Sequence, residues 1–305
     1  MFFSLSRFLF VNLQQIEGSV STMSSFTVNV GGRLLDLSSP LVMGILNATP
    51  DSFYASSRVQ TEQAVAARAD EIVAQGGTII DVGAFSTRPG AAMVTEEEEM
   101  ARMRMALGVV RRRQPDAVVS IDTFRPDVAR MAVEEFGAVI VNDVSEGGRA
   151  DIADRPQRPV EGGVPAMFAM VARLKVPYIL TSVQPDMRSM LMAFAGEVNL
   201  LRNLGVGDII LDPGFGFGKT LESNYQILAQ LDRLQMLGLP VLVGVSRKSM
   251  LTRLLQRPAE EVLPATSALH AVALSKGAAI LRAHDVREAV EVCRVMAMLG
   301  ENGGI

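Results

Sequence analysis

The chain has 305 residues, of which 49% are hydrophobic and 20% are charged, and its formal net charge is −4. A charge so close to balance, with only 3 tyrosines and no tryptophan, argues against a nucleic-acid-binding protein and against docking on an anionic membrane surface. The single cysteine, Cys293, cannot form an internal disulfide and falls in a helical segment. It is therefore predicted to be a buried thiol in a cytoplasmic protein.

The first part of the chain, residues 1–22, is predicted to be a disordered extension or a misassigned start, with Met23 as the alternative start. Residues 1–13 are apolar, with Arg7 as the only charge, but they are too few to span a membrane. A secretory signal is disfavoured, because no basic leader region or small-residue cleavage site accompanies them. No linker rich in Pro, Gly or Ser divides residues 23–305, which are predicted to form a single domain.

Two short segments, Phe26–Val30 and Arg33–Leu37, flank Gly31-Gly32, a pattern typical of a β-hairpin. Eight short apolar runs follow, alternating with helical stretches. Continuous apolar runs suit strands buried on both faces, and eight strand–helix repeats predict a closed (β/α)8 TIM barrel, with the hairpin across its bottom. The runs are Leu41–Leu46, Thr78–Val82, Ala117–Ile121, Ala138–Val141, Pro177–Leu180, Asp208–Leu211, Pro240–Val243 and Ala278–Leu281.

Helix signals lie between these runs. Thr95 precedes four glutamates, Glu96–Glu99, which the N-terminal end of a helix dipole stabilises, so the acidic run needs no functional explanation. Pro126 stands where a first helical turn tolerates proline. The predicted helices include Thr61–Gln75, Thr95–Gln114, Pro126–Phe136 and Asn224–Leu237.

Polar residues follow seven of the eight runs, at the strand ends where barrel enzymes gather their chemistry. Asp122, Asn142 and Asp212 could hold a flat, nitrogen-rich heterocycle with an amino group through hydrogen bonds. Each aspartate alone could instead cap the next helix. Three such groups on three strands favour a shared pocket.

Arg88, Lys248, Arg282 and His284 form a cationic set at the same end and suit a multiply charged anion such as a phosphate. Arg282 and His284 are two residues apart, so they point the same way at a strand end. Any one of these cations could be a solvated surface charge. His270, inside a helical segment, is predicted to be structural.

Gly218-Lys219-Thr220 resembles the end of a phosphate-binding Walker A loop, but Pro213 stands where its first glycine is needed. This loop is predicted to give the backbone a sharp path, with Phe215 and Phe217 as apolar walls of the pocket. No serine nucleophile elbow, histidine-rich metal set or paired-cysteine motif is present in the sequence.

Five strand-end motifs together resemble the dihydropteroate synthase family of pterin-binding enzymes, in order, over roughly residues 26 to 300. They are Met43-Gly44-Ile45-Leu46-Asn47-Ala48-Thr49-Pro50-Asp51-Ser52-Phe53, Ser86-Thr87-Arg88-Pro89-Gly90, Leu211-Asp212-Pro213-Gly214-Phe215-Gly216-Phe217-Gly218-Lys219, Ser246-Arg247-Lys248-Ser249 and Arg282-Ala283-His284-Asp285.

The resemblance implies a transferase that joins a dihydropterin diphosphate to p-aminobenzoate, with Mg²⁺ bound near Asn47. It implies a homodimer and competition by sulfonamides for the p-aminobenzoate slot. By the same resemblance, Lys248, Arg88, Asp122 and Arg282 are the catalytic residues. The implied substrate-binding residues are Asp122, Asn142, Asp212, Lys248, Thr87, Arg88, Pro89, Phe53, Phe217, Ser246, Arg247, Arg282 and His284, with Asp51 in a closing loop.

The chain departs from the family pattern at Phe85, where many members carry glutamate, and at Thr181-Ser182-Val183, where Met-His-Met is usual. The following segment, Gln184–Leu204, is also short. Two alternatives therefore stay open: a pterin-binding methyltransferase barrel that passes a methyl group from methyltetrahydrofolate to a corrinoid, and a paralogue that binds pterin without catalysis. The cationic set speaks against both.

Overall fold

A computed structural model describes residues 26–48, 55–85, 94–148 and 163–303 of the chain. The predicted N-terminal extension, residues 1–22, lies outside this part. None of the helices in the described part has the length and hydropathy that crossing a membrane requires.

An eight-stranded parallel sheet forms a barrel, as the eight apolar runs predict. Around the barrel the eight strands follow their order along the chain, and a parallel bridge between Leu211 and Val241 joins the two ends of the hydrogen-bonded sheet. The barrel strands are β3 (Leu41–Asn47), β4 (Ile79–Gly83), β5 (Val118–Asp122), β6 (Ile140–Asp143), β7 (Tyr178–Thr181), β8 (Ile209–Asp212), β9 (Leu242–Val243) and β10 (Ile280–Ala283).

Helices surround the barrel, and local signals set several of their ends. The Thr95 hydroxyl accepts from the Glu98 N–H at the start of α2, and Gly137 ends α3 in the left-handed conformation. The helix predicted over Asn224–Leu237 is two elements, α6 and a 3₁₀ helix at Leu231–Leu237. The α-helices are α1 (Ala55–Ala74), α2 (Glu96–Arg113), α3 (Pro126–Phe136), α4 (Ala166–Leu174), α5 (Met187–Asn203), α6 (Leu221–Ala229), α7 (Ser249–Leu255), α8 (Leu263–Ser275) and α9 (Val286–Gly303).

The N-terminal hairpin, β1 (Thr27–Val30) and β2 (Arg33–Asp36), closes the bottom of the barrel, as predicted. Its turn is Gly31-Gly32, and both glycines have positive φ. Side chains of the hairpin pack with apolar residues from the first half of every barrel strand. This bottom layer contains Val28, Val30, Leu35, Leu37, Met43, Ile79, Val118, Ile140, Ile179, Ile210, Leu242 and Ile280.

The barrel interior turns polar above this layer. Because strand side chains alternate, the residues two positions after the bottom layer also face inward. That middle layer contains Ile45, Asp81, Ser120, Asn142, Thr181, Asp212, Gly244 and Arg282. The apolar bottom therefore supports a polar pocket that opens at the C-terminal ends of the strands.

Candidate active site

The three residues predicted to hold a heterocycle lie together in the barrel. Asp122 on β5 is the register partner of Asn142 on β6, so the two side chains stand next to each other. Asn142 and Asp212 are buried, whereas Asp122 is partly exposed at the mouth. Burial raises the pKa of Asp122 to about 6, against the opposing effect of Arg282, and burial also raises the pKa of Asp212.

Arg282 joins this group from β10 by forking between two carboxylates. Its Nη2 lies 2.7 Å from Asp122 Oδ2, and its Nε lies 2.7 Å from Asp81 Oδ2. Burial opposes the charge, yet the two aspartates outweigh burial and raise the pKa of Arg282. Sequence reasoning missed Asp81, because it lies inside an apolar run and not after one.

Asp212 is held in place from two sides. Its Oδ1 accepts from the Gly214 N–H at 2.8 Å, and its Oδ2 accepts from the Thr181 hydroxyl at 3.3 Å. Thr181, which departs from the family pattern, is buried and contacts the carboxylate directly. The threonine thus orients an acceptor of the pocket, a task for which a methionine thioether is poorly suited.

Lys248 enters the pocket at the start of α7. Its Nζ lies 4.4 Å from the centroid of the Phe217 ring, a cation–π contact. Burial, with the repulsion of Arg282, lowers the pKa of Lys248 to about 8, although Asp212 and Asp122 favour the charged form. Phe217 and Lys248 thereby bring the loop after β8 against the loop after β9.

Ser246 and His284 stand side by side at the ends of β9 and β10. The Ser246 hydroxyl accepts from the His284 N–H at 3.1 Å, and Arg68 on α1 donates to the carbonyl oxygens of Ile45 and His284. Burial and the neighbouring Arg282 lower the pKa of His284 to about 4. The imidazole is therefore neutral at pH 7, so it offers hydrogen bonds in the ligand-free protein and not the charge expected from the sequence.

Arg247 has a positive φ of 55°, and its guanidinium binds Asp285 through Nε at 3.0 Å and Nη2 at 2.5 Å. Asn47 is exposed at the rim, at the end of β3, the strand that pairs with β10. A Cβ added to Gly83 would lie 3.6 Å from Asn47 Oδ1 and 3.5 Å from Asp122 Cβ. Glycine at this position therefore leaves open the space between the rim amide and the aspartate.

Five predicted site residues, Asp51, Phe53, Thr87, Arg88 and Pro89, lie outside the described residues. Phe85, the last described residue before residues 86–93, makes an edge-to-face contact with Phe124, with ring centroids 5.6 Å apart. Arg125 lies over both rings. At the position where the family resemblance predicts a glutamate, this chain has a cluster of two aromatic rings and a cation.

Two interpretations of surrounding residues change. Glu99, predicted only to favour a helix start, is fully buried and binds Thr123 and Arg125 at 2.6 Å each. Phe215, predicted as a pocket wall, is 1% exposed within the main core. Lys219 donates to the carbonyl oxygens of Ser182, Gly214 and Phe217, which agrees with the prediction that its loop is not a Walker A site.

The assembled site has a floor of carboxylate and amide groups with cations at one side. Such a floor matches a flat ring rich in N–H donors, and the cations match an anion attached to that ring. A barrel with this pocket is typical of an enzyme that binds a pterin. The family model described as "Pterin binding enzyme" matches residues 43–284, and the chain belongs to that family.

Within the family, the chain is a member of the dihydropteroate synthases. It is 38% identical over 270 residues to the dihydropteroate synthase of Escherichia coli K12, covering 87% of this chain and 93% of that one. The Bacillus subtilis dihydropteroate synthase is 35% identical over 275 residues, covering 87% and 90%.

Solved structures of the family superpose on the barrel. A Yersinia pestis dihydropteroate synthase with a sulfonamide drug complex has a TM-score of 0.76 at 33% identity, covering 90% of this chain and 100% of that chain. A Xanthomonas albilineans dihydropteroate synthase with 4-aminobenzoic acid has a TM-score of 0.78 at 33% identity, covering 90% and 98%.

Proposed function

We propose that the chain condenses 6-hydroxymethyl-7,8-dihydropterin diphosphate with p-aminobenzoate, giving 7,8-dihydropteroate and diphosphate for folate biosynthesis. The observation that carries this proposal is the pairing of Arg282 with Asp81 and Asp122 beside Asn142 and Lys248. The carboxylate and amide groups can bind a ring that carries several N–H donors, and the two cations can bind an anion attached to that ring.

The pterin ring lies on Asp122, Asn142 and Asp212, with Lys248 at its edge. Carboxylates accept hydrogen bonds from the amino group and ring N–H groups, and the lysine donates to ring oxygen or nitrogen. Their burial strengthens these bonds, since the low-dielectric interior screens charge weakly.

The diphosphate lies against Arg282 and His284, beside the rim residue Asn47. In the described residues, no group of three or more acidic, histidine or cysteine side chains is placed to hold a metal ion. Mg²⁺ usually retains waters and takes one or two protein oxygens together with substrate phosphates, so the exposed Asn47 Oδ1 fits that role. Bound there, Mg²⁺ supplies positive charge that stabilises the departing diphosphate.

The reaction replaces a C–O bond at the pterin methylene carbon with a C–N bond. The C–O bond breaks, with its electron pair leaving on the diphosphate, and the aniline nitrogen forms the new C–N bond and loses a proton. Arg282 and Lys248 stabilise the negative charge that grows on the leaving group. The aniline is already neutral and nucleophilic, so no activated side chain is needed, and the family resemblance assigns Arg88 an assisting role.

The p-aminobenzoate slot lies between Phe217 and Ser246, next to Arg247, and the family resemblance assigns Phe53, Thr87, Arg88 and Pro89 to the same slot. Support comes from the 4-aminobenzoic acid in the Xanthomonas albilineans relative and the sulfonamide in the Yersinia pestis relative. By the same resemblance, the segments that carry these four residues would exclude water, which would otherwise capture the methylene cation.

The assay that tests this function follows diphosphate release and dihydropteroate formation from the two substrates with Mg²⁺. We expect turnover by the unaltered protein and a loss of about a hundredfold or more in Lys248→Ala. The matched control is Lys276→Ala, because Lys276 pairs at the surface with Asp232, 3.2 Å away. Pterin binding without any product would contradict the enzyme assignment and indicate a non-catalytic paralogue.

Affinity for a dihydropterin lacking the diphosphate is expected to follow a bell-shaped pH profile. It falls below about pH 6, because the pKa of Asp122 is about 6 and protonation removes an acceptor. It falls again above about pH 8, because the pKa of Lys248 is about 8 and the lysine loses its charge. Calorimetry at pH 5 to 9 measures this profile.

Lys248→Met is the control for the alkaline limb of that profile. It should remove the limb above pH 8 and leave the acid limb. An alkaline limb that persists would instead assign it to Lys219, whose pKa burial also lowers to about 8.

The protein is a homodimer that pairs through its last helices. Each subunit folds as a single domain, and the enzyme acts in the cytoplasm. Support comes from exposed apolar side chains on these helices, namely Val272 on α8 and Val295, Met298 and Leu299 on α9. The buried free thiol of Cys293 suits a reducing compartment.

A further inference from the structure

Asp81 lies inside the barrel on β4, fully buried in the middle layer. Its Oδ2 accepts two hydrogen bonds, from Arg282 Nε at 2.7 Å and from Asn142 Nδ2 at 3.1 Å. A single carboxylate thus holds both an arginine assigned to the diphosphate and an amide assigned to the ring. None of the sequence signals singles it out.

This contact sets which way the Asn142 amide turns. An ionised carboxylate only accepts hydrogen bonds, so it binds the NH₂ group of Asn142 and repels the carbonyl oxygen. The carbonyl oxygen Oδ1 accordingly points away from Asp81, and it is buried with no hydrogen-bond partner among the described residues. A buried acceptor in this condition is unfavourable until a donor arrives.

We propose that Asp81 is a positioning residue that directs the Asn142 carbonyl oxygen at the substrate, so that the site selects a heterocycle with an amino group at that edge. The identity of the ring rests on the proposed function. Asp122, on the neighbouring strand, supplies a second acceptor next to Asn142. Two adjacent acceptors match an amino group, which has two N–H donors, and reject a carbonyl oxygen.

The test compares the affinities of a 2-amino dihydropterin and its 2-oxo counterpart by calorimetry. The unaltered protein should prefer the amino compound by about a hundredfold, because the oxo compound leaves buried acceptors unpaired. In Asp81→Asn the preference should fall to about tenfold or less, because an amide at that position both donates and accepts, so Asn142 can turn either way.

The matched control is Ser120→Ala, the register partner of Asp81 on β5, whose buried hydroxyl has no partner among the described residues. It should leave the preference between the two compounds unchanged. If Asp81→Asn weakens both compounds in parallel and keeps their ratio, Asp81 has only a structural role and the proposal is overturned.

A measurement on the unaltered protein covers the case in which Asp81→Asn does not fold. In NMR spectra, the side-chain NH₂ protons of Asn142 should exchange slowly with solvent before any ligand is added, because Asp81 holds them. Fast exchange would overturn the proposal. If the unaltered protein binds neither compound, the proposed function fails, and the exchange rate still decides how Asn142 is oriented.

Discussion

Arg282→Met is expected to lower kcat/KM for the pterin diphosphate by about a thousandfold, because it removes the main cation facing the leaving group. It should also lower the free energy of unfolding by about 3–5 kcal/mol at pH 8, since Asp81 and Asp122 lose a partner inside the barrel. The Arg282 side chain is 15% exposed and that of Asp81 is fully buried, so solvent cannot replace the lost charge. Steady-state kinetics and thermal unfolding measure the two effects.

The stability deficit of Arg282→Met has a definite pH dependence. Without the arginine, the folded-state pKa of Asp122, which burial already raises to about 6, lies further above the unfolded value, so the folded state binds more protons than the unfolded state at mildly acidic pH. The variant therefore loses stability as the pH rises through that range, and its deficit shrinks between pH 8 and pH 5.

Arg111→Met is the matched control for that deficit. Among the described residues, Arg111 donates hydrogen bonds to the carbonyl oxygens of Ala117, Phe136 and Gly137, which do not titrate. Its loss should destabilise the protein equally at both pH values and leave kcat/KM intact. A deficit in Arg282→Met that does not change with pH would contradict the buried ion pairs.

The barrel itself follows from the sequence, because each strand is buried on both faces and therefore forms a continuous apolar run. The polar residues at the strand ends could also be identified from the sequence. Asp122, Asn142 and Asp212 each come directly after such a run, and parallel strands bring their C-terminal ends together. Both predictions rest on the order of residues along the chain. Neither requires knowledge of which distant residues are in contact.

Pairing across the barrel is the part that the sequence does not reveal. Asp81 and Arg282 are 201 residues apart, and the aspartate stands within a run that reads as core. Glu99 was hidden in a different way, since four consecutive glutamates are explained by the helix dipole and only one of them turns inward to Arg125. In both cases tertiary burial, and not local pattern, decides what the carboxylate does.

The difference from the family pattern at Thr181-Ser182-Val183 can also be explained only from the contacts that these residues make in the fold. Ser182 donates its N–H to the Asp212 carbonyl oxygen and accepts from the Lys219 ammonium through its own carbonyl oxygen. Both contacts use backbone atoms of Ser182, so they do not depend on the side chain at this position. The segment thus preserves the support of Asp212 although its side chains differ from the family pattern.

Gly214→Ala is expected to lower the free energy of unfolding by about 3 kcal/mol or more. Gly214 has a φ of +66°, where a non-glycine residue costs about 1–2 kcal/mol. An added Cβ would also lie 2.2 Å from the Ser182 carbonyl oxygen, which cannot move without breaking the β7–β8 contact, and such overpacking costs about 1–3 kcal/mol more. Because the Gly214 N–H holds Asp212, pterin affinity should fall with stability.

Gly238→Ala separates the two causes of that loss. Gly238 has nearly the same φ, +62°, but an added Cβ there meets nothing within 4 Å. We expect Gly238→Ala to lose only the stability that the unfavourable backbone conformation costs. Its Tm should fall by about 2–4 °C for each kcal/mol lost, and its pterin affinity should not change. Gly214→Ala should lower Tm by at least twice as much and weaken pterin binding. Equal shifts in the two variants would show that the close approach of Gly214 to Ser182 contributes nothing to the support of Asp212.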